Sequence, residues 1–227
     1  MEWTIHDLGS GVVAESAVVG FAEANCYLFG CLETSVGVVI DPGTTEPDEN
    51  DGIVRRVAEL GLSVSAILNT HGHPDHMSGN DALREALACD VVIHELDGLK
   101  LTDPDRNGSR LFGLDIHVAP ADRFVVDGER IDIGNVALDV LHTPGHSSGG
   151  VAFLGDGFVF TGDTLFAGGV GRTDLPCSSE GGTLAWEVLM SSIREKLLTL
   201  PGDTVVLPGH GPATTIAAEK AGNPFLR

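Results

Sequence analysis

Four metal-competent side chains fall within the six residues His71-Gly72-His73-Pro74-Asp75-His76, directly after the apolar run Ala66-Ile67-Leu68. Imidazoles and carboxylates suit zinc, iron or manganese. Pro74 keeps the stretch from being an ordinary helix interior in which the histidines would form a polar face. The segment therefore predicts a ligand-bearing loop at the end of a strand, and a fold that must supply the rest of a metal site from elsewhere in the chain.

The surrounding text predicts a mixed α/β protein. Short apolar runs at Gly11-Val12-Val13, Ala17-Val18-Val19, Cys26 to Phe29 and Val36 to Ile40 read as consecutive strands. Ile53, Val54, Val57 and Leu60 recur at helical spacing between Glu49 and Leu60, with Gly61 as a stop. Strand Ala66 to Asn69, the histidine loop, a helix from Asn80 to Leu87 and strand Val91 to His94 follow, then an irregular surface excursion between Asp97 and Asp122. A second β-rich block covers Arg123 to Val126, Arg130 to Ile133, Val136 to His142, Val151 to Leu154 and Phe158 to Thr161; helix Leu184 to Leu200 and strand Val205 to Leu207 close the pattern. No repeat or low-complexity linker separates the halves, so a single domain over residues 1–227, built as a four-layer αββα sandwich, accounts for the order.

Composition narrows the partners. Thirteen basic against thirty-three acidic residues give a net charge of −20, which repels nucleic acid and anionic membrane surfaces. No apolar stretch approaches the roughly 20 residues needed to span a bilayer, and Met1-Glu2-Trp3-Thr4 does not open an export signal, so a cytoplasmic protein is expected. Cys26, Cys31, Cys89 and Cys177 show no paired spacing and predict reduced thiols, with Cys177 in a polar loop.

Three more candidate ligands stand just after predicted strands and beside glycine: His146 in Thr143-Pro144-Gly145-His146, Asp163 in Thr161-Gly162-Asp163-Thr164, and His210 in Pro208-Gly209-His210-Gly211. Glycine lets the backbone turn sharply and approach closely, as a site at strand ends requires. His6, His94, His117 and His142 lack that setting and read as structural, with His142 close enough in sequence to be a hydrogen-bond partner of His146.

The H-x-H-x-D-H run, followed in order by single His, Asp and His residues, and preceded by Asp41-Pro42-Gly43, resembles the metallo-β-lactamase superfamily across nearly the whole chain. The resemblance implies an αββα sandwich with two divalent ions between the sheet ends. His71, His73 and His146 would hold one, Asp75, His76 and His210 the other, and Asp163 would bridge them. Zinc is the expected metal, with iron or manganese as alternatives. Two such ions roughly 3.5–4 Å apart would lower the pKa of a bridging water from about 15.7 towards neutrality. The expected reaction is attack of that hydroxide on an acyl or ester-like carbonyl, with Asp75 orienting the nucleophile or holding its proton.

Within the superfamily, the stretches from Gly162 to Asp174 and from Asn223 to Arg227 look like glyoxalase II and its shorter single-domain relatives. That likeness implies a hydroxyacyl thioester of the S-lactoylglutathione kind, whose thiolate leaves without a dedicated general acid. It also implies Arg172 as a substrate-binding cation for a carboxylate on the thiol carrier, against the alternative of a surface pair with Asp174. The chain departs from full-length glyoxalase II in ending at Arg227 and in reading Gly211-Pro212 where a tyrosine usually follows the last histidine. Its single tyrosine, Tyr27, lies in an early strand, so an acyl carrier other than glutathione is in play. The competing readings are a persulfide dioxygenase using one Fe(II) on His71, His146 and Asp163, and a lactonase. A small-molecule substrate is expected, with no nucleic acid or membrane partner; the sequence is silent on oligomeric state.

Overall fold

In the computed structural model, which describes residues 1–9, 11–178 and 183–227, two sheets face each other. The first runs in sequence order: β1 (Thr4–Ile5), β2 (Val12–Val19), β3 (Ala24–Cys31), β4 (Val36–Ile40), β5 (Ser63–Leu68), β6 (Asp90–His94) and β7 (Arg123–Val125). The early strands form an antiparallel meander, and β4 to β7 are parallel. The second sheet comprises β8 (Arg130–Ile133), β9 (Val136–His142), β10 (Val151–Gly155) and β11 (Phe158–Gly162). After a small hairpin, β12 (Leu165–Phe166) and β13 (Gly169–Val170), it is completed by β14 (Val205–Pro208), parallel to β11, and β15 (Thr214–Thr215).

Parallel neighbours need crossovers, and the helices supply them. α1 (Pro47–Leu60) links β4 to β5; α2 (Pro74–Met77) and α3 (Asn80–Leu87) link β5 to β6; α4 (Thr183–Ser192) lies between β11 and β14; α5 (Ile216–Gly222) follows β15. α1 starts at Pro47, two residues before the periodicity suggests. Pro47 sits at its first position, Glu49 returns to the backbone N–H of Glu46, and Gly61 ends it in a left-handed conformation.

Three apolar clusters establish the layers. Phe29, Ile40 and Leu68 of the first sheet meet Leu138, Phe153 and Phe160 of the second. Ile53 of α1 and Leu83 of α3 cover the outer face of the first sheet through Val39 and Ile67. Leu189 and Met190 of α4, with Ile193, cover the outer face of the second through Val159 and Val206. The result is the expected αββα sandwich.

Several local expectations are corrected. The two short runs before residue 20 are one strand, β2, because Glu15 and Ser16 between them are also buried. Glu15, 3% exposed, is tolerated because Arg56 Nε and Nη2 each donate to its carboxylate at 2.7 Å. The histidine segment is not loop throughout: Pro74 opens the one-turn α2, where its missing N–H is no loss. The long closing helix stops at Ser192 and widens into a π-helical turn over Ile193–Leu197, with Leu198 N donating to Ile193 O at 2.8 Å. The excursion after β6 contains two 3-10 turns, Glu95–Lys100 and Ser109–Phe112. No helix among the described residues is long and apolar enough to cross a membrane.

Candidate metal centre

Four loops bring the seven candidate ligands to one edge of the sandwich. The loop after β5 carries His71 and His73, and α2 turns Asp75 and His76 back towards them, with His76 N donating to His73 O at 3.0 Å. His146 follows β9, Asp163 follows β11 and His210 follows β14. Two glycines show how tightly these loops are drawn in. Gly145 has φ +134°, and a Cβ there would lie 2.4 Å from Leu189 Cα, so only glycine lets the His146 loop lie on α4. A Cβ at Gly209 would lie 2.2 Å from Asp163 Oδ1.

The seven side chains form two groups. One ligand atom from each of His71, His73 and His146 lies within 4.8 Å of the others, and the same holds for Asp75, His76 and His210. His73 Nδ1 and His146 Nε2 are 2.8 Å apart. Asp163 reaches both groups: Oδ1 is 3.4 Å from His76 Nε2, while Oδ2 is 3.4 Å from His146 Nε2 and 3.6 Å from His210 Nε2. Asp75 Oδ2 is 3.3 Å from His210 Nε2 and 3.6 Å from His76 Nε2.

The donor set fits cations. His71 Nε2, His73 Nε2, His76 Nε2 and Asp163 Oδ1 are buried with no hydrogen-bond partner. Orphaned buried acceptors are expensive, and four of them converging on one place point to a charge that would satisfy them. Electrostatics divide the site further. Burial, reinforced by neighbouring histidines, pushes His71 and His73 down, and burial also lowers His146 despite Asp163. Burial alone would lower His76, yet Asp163, Asp75 and Asp41 together push it up to about 10. Burial works against ionising Asp75, but His76 and His210 hold its carboxyl well below the usual range. Burial likewise opposes charging His210, and the Asp75 hydrogen bond with the Asp163 charge raises it.

A surrounding shell orients the imidazoles. Asp41 is held at φ +52°; its Oδ1 accepts from Thr70 N at 2.7 Å and its Oδ2 from Thr70 Oγ1 at 2.6 Å. Asp41 Oδ2 also faces His76 Nδ1 at 3.0 Å, which turns Nε2 towards Asp75 and Asp163. Asp41, His71 and His76 themselves make a third metal-sized group, but both Asp41 oxygens are already engaged in this network. Because the Thr70 hydroxyl hydrogen goes to Asp41, Thr70 Oγ1 accepts from His71 Nδ1 at 3.0 Å, leaving His71 Nε2 as the free lone pair.

Asp97 joins two of the loops. Its Oδ2 accepts from Gly72 N at 2.9 Å and Ser147 Oγ at 2.6 Å, and its Oδ1 from Gly149 N at 2.8 Å. Sequence reasoning did not find Asp97, which stands at the head of the irregular excursion with no motif around it. The expected pairing of His142 with His146 is not formed. His146 Nδ1 donates to Arg172 O at 2.7 Å, whereas His142 bonds Ser148 O at 2.9 Å and stacks on His94 with centroids 4.3 Å apart.

A cavity of about 430 Å³ opens over both groups, with His73, Asp75, His146, Asp163 and His210 on its floor and Arg172 on its wall. The Arg172 guanidinium is bound by Asp174, Nε to Oδ1 at 2.9 Å and Nη2 to Oδ2 at 3.0 Å. Cys177 lies in a turn, as expected, and is buried there, which pushes its thiol up.

The family model described as the metallo-beta-lactamase superfamily matches residues 19–210. A probable metallo-hydrolase, YqgX, of Bacillus subtilis is 39% identical over 211 residues, covering 92% of this chain and 94% of the relative. A hydroxyacylglutathione hydrolase, GloC, of Haemophilus influenzae is 36% identical over 209 residues, covering 90% and 93%. Among solved structures, the BLEG-1 B3 metallo-beta-lactamase superposes with a TM-score of 0.84 at 35% identity, covering 94% of this chain and 99% of that one. A match that begins at the end of β2 and runs to the last of these histidines, in a sandwich with the same layers, settles descent: this chain belongs to the metallo-beta-lactamase superfamily.

Proposed function

We propose that the protein is a metal-dependent hydrolase of a hydroxyacyl thioester, using two divalent ions, with zinc ahead of iron or manganese. His71, His73 and His146 would hold one ion, Asp75, His76 and His210 the other, and Asp163 would serve both. The observation that carries the reading is Asp163 itself, one carboxylate within 3.6 Å of imidazoles from both groups. Likeness to a hydroxyacylglutathione hydrolase supports the thioester as the bond cleaved.

Divalent ions bound there would supply a Lewis acid for a carbonyl oxygen and a water acidified towards neutral pH. The chain's own groups do the rest. Asp75 lines the cavity and takes the role of orienting the attacking water and accepting its proton at the carboxylate. Asp41 and Arg172 O hold the imidazoles of His76 and His146 in fixed orientations, so little reorganisation accompanies the reaction. A thiolate departs without protonation, so no separate acid is required on the leaving-group side. Arg172 on the cavity wall would pair with an anionic group of the substrate. The partner is a small molecule, and a net charge of −20 supports a site that avoids nucleic acid and anionic membranes.

The test is metal content and thiol release from S-lactoylglutathione on one anaerobic preparation. About two metals per chain with oxygen-independent release is the expected result. One iron per chain, no hydrolysis, and oxygen uptake with glutathione persulfide would overturn it in favour of a dioxygenase.

A further inference from the structure

The cavity over the centre has an apolar rim from separate parts of the chain. Phe21 comes from the turn between β2 and β3 and is 46% exposed; Phe112 ends the second 3-10 turn of the excursion and is 59% exposed. Phe166, on β12, stands edge-on to the His210 ring with centroids 6.1 Å apart, and Leu175 completes the rim. Single exposed aromatics are ordinary on protein surfaces. Three around the mouth of one cavity, with the candidate ligands as its floor, make a surface shaped for an apolar group.

The polar side chains near it are already engaged. Asn107 donates to Lys100 O at 3.0 Å and Ile116 O at 2.8 Å, and its oxygen accepts from Ser109 N at 2.9 Å. Arg172, the sole Arg or Lys among the described lining residues, is gripped by both oxygens of Asp174. Tyr27, the chain's one tyrosine, donates to Pro208 O at 2.7 Å inside the core. Glutathione brings two carboxylates and an ammonium, and this lining offers only one guanidinium among its described residues, already paired with Asp174, to meet the two carboxylates.

We infer that the thioester taken by this site carries an apolar, ring-sized acyl group on a thiol carrier with at most one carboxylate, unlike glutathione with its two. The inference rests on the thioester reading and narrows it. The ring packs among Phe21, Phe112, Phe166 and Leu175, and Arg172, the sole Arg or Lys among the described lining residues, meets the one carboxylate.

The test uses the full chain loaded with zinc and four matched thioesters: lactoyl and mandeloyl, each on glutathione and on N-acetylcysteamine. Mandeloyl keeps the 2-hydroxyl and replaces a methyl by a phenyl. The expected kcat/KM for mandeloyl-N-acetylcysteamine exceeds that for lactoylglutathione by at least about tenfold. The Phe21→Ser, Phe112→Ser double variant, altered at two exposed sites, should shrink that ratio to about threefold or less, mainly through KM. In parallel, calorimetry compares two non-hydrolysable thioethers, S-phenethyl-N-acetylcysteamine and S-methylglutathione, with the first expected to bind at least about tenfold more tightly. Preference for lactoylglutathione, or a ratio untouched by the double variant, overturns the inference and leaves the hydrolase standing. No hydrolysis of any thioester overturns the hydrolase, and the calorimetry then decides the cavity's preference for an apolar ring alone: tighter phenethyl binding sustains that preference, and equal or weaker binding ends it.

Discussion

One methyl group, added by Gly209→Ala, tests whether the backbone after β14 sets the position of Asp163. The new Cβ would stand 2.2 Å from Asp163 Oδ1, 2.8 Å from His76 Cε1 and 3.0 Å from Gly162 C, whereas ordinary contact begins at 3.4 Å. The backbone has little freedom to retreat, since Gly209 N donates to Gly162 O at 2.8 Å and Gly209 O accepts from Asn25 N at 2.7 Å. His76 is held by Asp41 and is fully buried. The Asp163 carboxylate is what yields, by roughly 1 Å, at an overpacking cost of about 1–3 kcal/mol. For a chain of this size that lowers the melting temperature of the metal-free protein by roughly 2–12 °C. A misplacement of about 1 Å in a group that positions the reaction costs on the order of 100-fold in turnover, so activity and metal retention should fall far more than stability. The assay is metal content after dialysis against a weak chelator, thioester turnover, and calorimetric melting of the stripped protein. Gly211→Ala is the control: its φ of +75° adds strain, but a Cβ there meets nothing within 4 Å, so it should lose stability and keep metal. Full metal content and native turnover in Gly209→Ala would refute the account.

Asp163→Ala should empty both groups together and abolish most turnover, because one carboxylate is asked to serve two ions; a mutant retaining its full metal complement would rule out the shared role. Asp97→Ala leaves Gly72 N–H, Gly149 N–H and the Ser147 hydroxyl without their acceptor in a buried place and should destabilise by about 3–5 kcal/mol; denaturant unfolding measures it, and a loss under about 1 kcal/mol would deny that Asp97 ties the two loops together. Glu49 gives the pH prediction: burial would raise it, but backbone N–H donors at Gly20, Thr45 and Glu46 hold it below its usual value. A depressed folded value means its stabilisation is present above the unfolded pKa of about 4.3 and lost as pH falls through the folded one. Glu49→Gln should therefore melt below wild type at pH 7, and the gap should close on acidification below about pH 4; a gap constant with pH would contradict this.

The ligand loops were legible because each pairs a chemically rare residue with a glycine at the end of an apolar run, a local pattern. The strands of the inner core were legible for the same reason, as in Val36–Ile40 and Phe158–Gly162, which are buried on both faces. What failed was whatever depends on distant partners. Glu15 and Ser16 interrupt the apolar pattern of β2, and only Arg56, 41 residues away, makes the buried Glu15 acceptable. Asp97 resembles any loop aspartate until the loops of His71 and His146 are brought against it. The stretch from Ile216 to Gly222 offered no long amphipathic period, yet it forms α5 because the Thr215 hydroxyl accepts from Ala218 N at 3.2 Å and Glu219 is buried, its oxygens reached by Thr214, Gly168 and Asn223.

Tyr27 and Asn25 show why the centre sits at the seam between the sheets. Both belong to β3 of the first sheet, and both reach the chain that carries His210 out of the second. Asn25 Nδ2 donates to Pro208 O at 2.9 Å and Gly211 O at 2.8 Å, bracketing that histidine, and Tyr27 Oη is a second donor on Pro208 O at 2.7 Å. On the other side Val151 N, in the second sheet, donates to Thr70 O beside His71 at 2.8 Å. Each half of the sandwich thus fixes a ligand loop of the other. A site of buried imidazoles and carboxylates is costly to desolvate, and it holds its geometry only if the surrounding backbone fixes it. Cross-sheet hydrogen bonds supply that constraint, so weakening them should loosen ligand positions before it unfolds either sheet.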